Sequence, residues 1–344
     1  MNRIRILAAV SALSLCLPMG GASAQSSGYG GSFPAYLQLL SAQARAEGVS
    51  ERTIQQVMQG LTPNQRVIDL DRAQPGSPTT SGFPPMAPYI SQHVDAARIN
   101  GGRRVLASIS PATATAIQRE YGVPLPIVVA IFGHETNYGS YTGDFDLARS
   151  LATLAWEGRR RDLFASEFIA LLKMVDQGVP QYRLKGSWAG AFGYPQFLPS
   201  VYLRLAVDGD GDGRRDIWSS RADTLASIAN YFRDAGWRPG QPWGVPASVP
   251  SSFNRSAVQT GLASPVCPRV HIRLSKWKTV KEWRALGIQP QRYLADNVMA
   301  SLFEPDGPGK PAYLLTGNYR VILEYNCSNY YALSVGLLAD EISR

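Results

Sequence analysis

The chain has 344 residues, 45% of them hydrophobic and 17% charged, with a formal net charge of +8. That hydrophobic share excludes a disordered protein and is enough to bury a sizeable core, in one large domain or in two to three lobes. The positive excess is modest and spread along the chain, so nucleic acid is not required as a partner; an acidic polymer or an anionic envelope surface suits it equally.

The opening stretch, MNRIRILAAVSALSLCLPMGGASAQ, sets Arg3 and Arg5 before an apolar run that exits through Ala22, Ser23 and Ala24. This is the pattern of a secretory signal peptide, with cleavage expected after Ala24. Cys16 raises a lipoprotein alternative, but Leu15 before it is bulkier than a typical lipidation site accepts, so a soluble exported protein is expected. No later apolar run approaches the ~20 residues that span a bilayer. Loss of the leader leaves Cys267 and Cys327. An even count in an oxidising compartment suggests one disulfide, with two buried free thiols as the alternative.

After a flexible SSGYGGS segment, apolar spacings of three and four over FPAYLQLLSAQARAEGVSERTIQQVMQGL predict two helices split at Gly48, with Ser50 as an N-cap. AQPGSPTTSGFPPMAP is a loop, and helix is expected again from about Tyr89 to Tyr121. Pro124 and Pro126 suit a first helical turn, and the helix they open carries Ile127, Val128, Ile131 and Phe132 before reaching Glu135. RDLFASEFIALLKMVDQG and DTLASIANYFRDAGW are amphipathic helices, the second with Asp223 as N-cap and Gly236 as its stop. Beyond about Pro246 the segments VHIRLSKWKTVKEW, AYLLTG and YRVILEYN alternate as short strands do, and NYYALSVGLLADEI closes the chain as a helix.

The expected fold class is α+β, a mostly helical body with a small antiparallel strand-rich lobe. The expected divisions are a signal peptide over 1–24, an N-terminal helical region over 25–100, a core over 101–250, a strand-rich lobe over 251–325 and a closing helix over 326–344.

Three stretches carry chemistry. Glu135 ends an apolar helix, where poor solvation raises a carboxyl's pKa and keeps it protonated, as a general acid for an oxygen leaving group requires. The bland alternative is a Glu paired with an Arg or facing water. The stretch KGSWAGAFGYPQFLPSVY mixes Ser187 and Gln196 with the flat rings of Trp188, Phe192, Tyr194 and Phe197, a combination that suits the apolar face and hydroxyl rim of a sugar; a glycine-rich packing turn would read the same way. DGDGDGRRDIWSSRAD begins like an EF-hand loop. Asp208, Asp210 and Asp212 stand at its positions one, three and five, with Gly213 at six and the Arg214 carbonyl at seven. Position twelve is Ser219 instead of an acid, leaving Asp216 or Asp223 to complete a calcium site.

Four segments in order, AIFGHETNYGSYTG, GSWAGAFGYPQFLPSVYLRLAVDGDGDGRRDIW, SIANYFRDAGW and EYNCSNYYALSV, resemble the lytic murein transglycosylases of the B type, and the resemblance runs from about Phe33 onward. It implies a lysozyme-like core with an extra strand-rich lobe and a periplasmic enzyme. It also implies cleavage of the β-1,4 bond between N-acetylmuramic acid and N-acetylglucosamine in peptidoglycan, leaving a 1,6-anhydromuramic end. Glu135 matches the family's single catalytic carboxylate. Ser187, Gln196, Phe197, Tyr231, Tyr325, Asn326 and Tyr331 match residues of its glycan groove, and Arg159 and Arg160 match an arginine pair on the rim. No catalytic cofactor is expected, and a structural Ca²⁺ is. Expected partners are glycan strands and other cell-wall enzymes, with no nucleic acid and no membrane span. His134 departs from the pattern, standing where the family usually has an apolar residue; it could perturb Glu135, but adjacent helical residues point in different directions, so a structural role is expected. Leu163 replaces an aromatic groove residue of some relatives. The rival readings are a muramidase that uses water, a non-catalytic glycan-binding envelope protein and a calcium-binding structural protein.

Overall fold

The computed structural model describes residues 31–74, 84–260, 270 and 273–344. The signal-peptide expectation and the Cys267 half of the expected disulfide therefore lie outside the described residues. Helices precede the sheet in chain order: α1 (Phe33–Ala46), α2 (Glu51–Met58), α3 (Gln65–Arg72), α4 (Ala87–His93), α5 (Ala96–Ser108), α6 (Pro111–Tyr121) and α7 (Leu125–Thr136), then α8 (Leu147–Glu157), α9 (Arg161–Asp176), α10 (Pro199–Leu205) and α11 (Arg221–Asp234). The helix expected over Tyr89 to Tyr121 is thus three pieces. Asp95 and Ser110 each cap a new start by accepting a backbone N–H, which ends the preceding run.

α7 is the axis of the body. Leu125 and every residue from Ile127 to Gly133 are buried, so the helix is apolar all round and must be covered on all sides. Its neighbours are α5, α6, α11 and the last helix, α14 (Asn329–Ile342). α8 and α9 pack as a pair, with α1, α2 and α3 against them. A two-stranded ribbon joins the loop after α7 to the segment after α9: β1 (Phe145–Asp146) pairs antiparallel with β2 (Lys185–Gly186). Gly143 (φ +89°) makes the junction possible, because a Cβ there would lie 2.3 Å from the Gly186 carbonyl oxygen.

The strand-rich part is a five-stranded antiparallel sheet. Its strands are β3 (Gly244–Ser248), β4 (Trp277–Thr279), β5 (Gln289–Pro290), β6 (Met299–Phe303) and β7 (Ala312–Leu315), in the spatial order β4-β6-β7-β3-β5. Period-two alternation gives it two buried faces. Phe303, Tyr313 and Leu315 join the core of the helical body, while Ala300, Leu302, Ala312 and Leu314 form a second core with Trp283 of the short helix α12 (Val280–Ala285). Trp243, which leads into β3, packs on α14 so closely that a Cβ on Gly336 would meet its ring at 2.5 Å.

Two strand expectations are overturned. YRVILEYN is not a strand; it lies in helix α13 (Gly317–Tyr325), capped by the Thr316 hydroxyl on the Asn318 N–H. Among the described residues of VHIRLSKWKTVKEW, the strand is Trp277–Thr279, because a reciprocal capping box between Thr279 and Glu282 starts α12 there.

Candidate active site

Glu135 is the penultimate residue of α7, and the chain leaves the helix in strained backbone. Asn137 (φ 48°) and Tyr138 (φ 60°) are successive non-glycine residues in the left-handed region, a conformation that costs of order 1–3 kcal/mol each and clusters at functional sites. The Thr136 hydroxyl fixes this exit, donating to the Tyr194 carbonyl and accepting from the Gly139 N–H. Glu135 keeps a solvent-facing edge, yet sits deep enough that burial pushes its carboxyl up to about 7, against the opposing pull of one hydrogen bond. That bond comes from Tyr331 on α14, whose hydroxyl donates to Glu135 Oε1 at 2.5 Å. The Tyr331 ring is fully buried, and burial and the nearby Glu135 hold its hydroxyl far above its ordinary pKa, so it remains a donor.

The sequence-predicted residues divide by what they touch. Tyr325 is buried beside this pair and donates to the Pro195 carbonyl at 2.5 Å. It packs with Phe197 and Tyr231 in one aromatic cluster, with ring centroids 6.2 Å and 4.8 Å away. Phe197 is buried, and Tyr231 is half-buried with its hydroxyl on the Glu324 carbonyl. Gln196 takes a left-handed backbone (φ 52°) and clasps the loop after α7, its amide donating to the Thr142 and Gly193 carbonyls. Ser187 accepts from the Ala191 N–H, and Asn326 is buried just past the end of α13. Trp188 and Phe192 are core side chains, Phe192 stacked on Trp218 at 5.3 Å.

Arg159 and Arg160 converge on Asp71 of α3, whose side chain is 1% exposed. Burial pushes the Asp71 carboxyl up, but the two guanidinium groups outweigh it and hold it below its ordinary value. The pair is thus a clamp between α3 and the α8–α9 turn, with Arg160 also over the Phe164 ring at 4.7 Å.

Sequence reasoning missed Tyr89 on α4. Its ring stacks on His93 at 3.8 Å and meets Tyr330 edge-on. Burial, with the Glu135 charge adding to it, pushes its hydroxyl up to about 12, so it lies within electrostatic reach of the acid. The spacing of Tyr89 and His93, four residues apart on one helix face, accounts for their stacking but carries no sign of the acid.

In the acidic loop, carboxylate oxygens of Asp208, Asp210 and Asp212 lie within 4.8 Å of one another, all three exposed. Asp208 also braces the turn by accepting from the Gly211, Asp212 and Gly213 amides. Arg214 follows, its N–H on Asp212. Asp223 is not the N-cap of α11; Ser220 is, and Asp223 is fully buried in the first turn. Both its oxygens accept backbone amides, from Gly209 and Asp216, which makes it a strut beneath the loop. Asp216 is taken up by Arg183 and by the Trp218 and Ser219 amides.

Residues 32–340 match the family model described as the transglycosylase SLT domain. The chain is 30% identical over 326 residues to the membrane-bound lytic murein transglycosylase B of Escherichia coli (strain K12), covering 91% of this chain and 85% of that protein. Among solved structures it resembles Pseudomonas aeruginosa SltB3 in complex with NAG-anhNAM-pentapeptide, with a TM-score of 0.81, 38% identity and coverage of 91% of this chain and 80% of that one. It also resembles the Escherichia coli lytic transglycosylase Slt35 in complex with calcium, with a TM-score of 0.73, 26% identity and coverage of 95% and 96%. An acid at the strained end of a buried helix, a tyrosine closing on it from the far end of the chain and a match across nearly the whole length agree: the chain belongs to the lytic murein transglycosylases of the B type.

Proposed function

We propose that Glu135 alone serves this lytic transglycosylase as acid and then as base. Protonated Glu135 donates to the glycosidic oxygen leaving N-acetylmuramic acid. Positive charge develops at the muramic C1. Ionised Glu135 then accepts the proton of the sugar's own C6 hydroxyl, whose oxygen closes on C1 to give the 1,6-anhydro end. Intramolecular attack gains from effective concentration and needs no positioned water.

One observation carries this reading. The raised Glu135 pKa arises from burial, opposed by the Tyr331 bond, and among the described residues no carboxylate contributes to it. Glycosidases that use an external or enzymic nucleophile set a second carboxylate roughly 5–9.5 Å from the first. Of the nearby acids, Asp146 caps α8 and Asp144 is exposed.

Ser187, Gln196 and Asn326 are proposed to orient acetamido and hydroxyl groups, with Phe197, Tyr231, Tyr325 and Tyr331 forming the aromatic wall. SltB3 binds NAG-anhNAM-pentapeptide, which supports peptidoglycan strands as the ligand class here. Arg159 and Arg160 are proposed to face stem-peptide or lactyl carboxylates with whatever donors Asp71 leaves. A structural Ca²⁺ fits Asp208, Asp210, Asp212 and the Arg214 carbonyl, hard oxygen donors on a tight turn; it would clip the loop and supply no chemistry. Export to the periplasm and a Cys267–Cys327 bridge complete the proposal, supported by the leader pattern and the even cysteine count. Among the described residues no helix is long and apolar enough to cross a membrane.

The test is digestion of purified sacculi by the wild type and by Glu135→Gln. Anhydro ends, about 18 Da lighter than hydrolysed ones because the nucleophile is internal, are expected from the wild type. The variant should lose roughly 10²–10⁴-fold in turnover. Hydrolysed ends would make the protein a muramidase. Binding without release of soluble fragments would make it a glycan-binding protein.

A further inference from the structure

His134 has no part in the reaction proposed above, yet it is built into the site as firmly as the acid beside it. Its ring lies between two helices. Nδ1 is 2.9 Å from the Ala130 carbonyl of its own helix, and Nε2 is 2.8 Å from the Ser334 hydroxyl of α14. A carbonyl only accepts, so Nδ1 carries the proton of the neutral ring and Nε2 presents a lone pair. The Ser334 hydroxyl also lies 2.8 Å from the Tyr331 carbonyl, so its single proton has two acceptors, one in its own helix and one across the gap. The imidazole packs edge-on against the Tyr331 ring, with centroids 5.4 Å apart and planes at 72°. Behind it, His93 stacks at 6.0 Å.

We infer that His134 is a positioning residue for the reaction, holding Tyr331 so that its hydroxyl stays on Glu135. The cross-helix bond to Ser334 pins α14 one turn beyond Tyr331, and the imidazole edge fixes the tilt of the Tyr331 ring. An apolar side chain at 134 would supply neither the lone pair nor the flat edge. The inference rests on the reading of Glu135 as the acid.

The consequence is legible in a pH profile, since the Tyr331 bond pulls the Glu135 carboxyl down against burial. Among the described residues the titratable and charged groups facing this pair are Tyr325, Tyr89, His93 and Arg98, and the variants below leave all four in place. His134→Val is expected to lower kcat by up to roughly 100-fold, the cost of about 1 Å of misplacement, with KM little changed. Its alkaline limb of kcat should move to higher pH, as in Tyr331→Phe. The double variant should be no worse than Tyr331→Phe alone, because the two act through one bond. Ser334→Ala, which removes the cross-helix partner without emptying the ring site, should shift the limb in the same direction and keeps the question open to test if His134→Val does not fold.

A wild-type limb in His134→Val or Ser334→Ala, even with lowered thermal stability, would overturn the inference and leave His134 as packing. So would losses that add in the double variant. Retained turnover in Glu135→Gln would overturn the acid assignment itself, a separate outcome.

Discussion

Glu135 faces opposing demands. In the fold it holds its proton up to about pH 7, whereas in the unfolded chain it releases it near 4.5. Between those values the unfolded state binds fewer protons, so stability falls as pH rises, and the loss is complete above about 7. Glu135→Gln should therefore be more stable than the wild type at pH 8, by roughly 2 kcal/mol at about 1.36 kcal/mol per pKa unit with its solvent-facing edge allowed for. The gain in melting temperature should vanish below pH 4.5, and an unchanged difference across that range would count against a strained acid. For catalysis the sign runs the same way, since a proton donor is lost as it ionises and the acid step should fade above pH 7. Glu135 could be read from the sequence because a carboxylate at the end of an apolar helix is a local anomaly. Tyr89 could not be singled out, because its relation to the acid is tertiary and its helix carries no charge to mark it. Trp188 and Phe192 were not separable in sequence from the other rings of their segment, because composition marks a ring and only tertiary packing shows its neighbours.

At the scale of elements, the helices with a single apolar stripe or a strong cap were legible, and α7 ran as its two prolines and apolar run implied. α13 was misread because Tyr319, Val321, Ile322 and Tyr325 are β-branched or aromatic residues near to alternation. Burial on several faces and the Thr316 cap override that local preference. The clamp on Asp71 was also invisible in sequence, since α3 and the α8–α9 turn meet 88 positions apart. Asp71 is buried but the guanidinium groups it would strand are partly exposed, at 41% and 27%, so Asp71→Asn should cost about 1–2 kcal/mol, below the figure for a fully buried pair. Because the Asp71 carboxyl is held below its ordinary value, its stabilisation is present above pH 3.8 and fades as pH falls further. Arg160→Ala separates clamp from rim: a lower melting temperature with unchanged KM would confine the arginine to the clamp, and a raised KM would add contact with the glycan's stem.

Across the whole molecule, the sheet is a middle layer. One face completes the helical core and the other covers Trp283, so the strand-rich part cannot swing freely from the body. The fold class was legible because patterning reports what each segment buries; the partition of the sheet between two cores was not, because pattern says nothing of which partner does the covering. If calcium occupies the acidic loop, chelation should lower the melting temperature by a few degrees, since a ligand at a hundred times its dissociation constant adds about 2.7 kcal/mol. A melting curve indifferent to chelator would remove the ion from the description. Finally, Tyr331 and Glu135 meet across 196 positions of chain. A nascent polypeptide that has made its first half owns the acid without the phenol that tempers it. The pair therefore exists only once the C-terminal helix has docked on α7, which ties the state of the acid to the last long-range contact the chain can make.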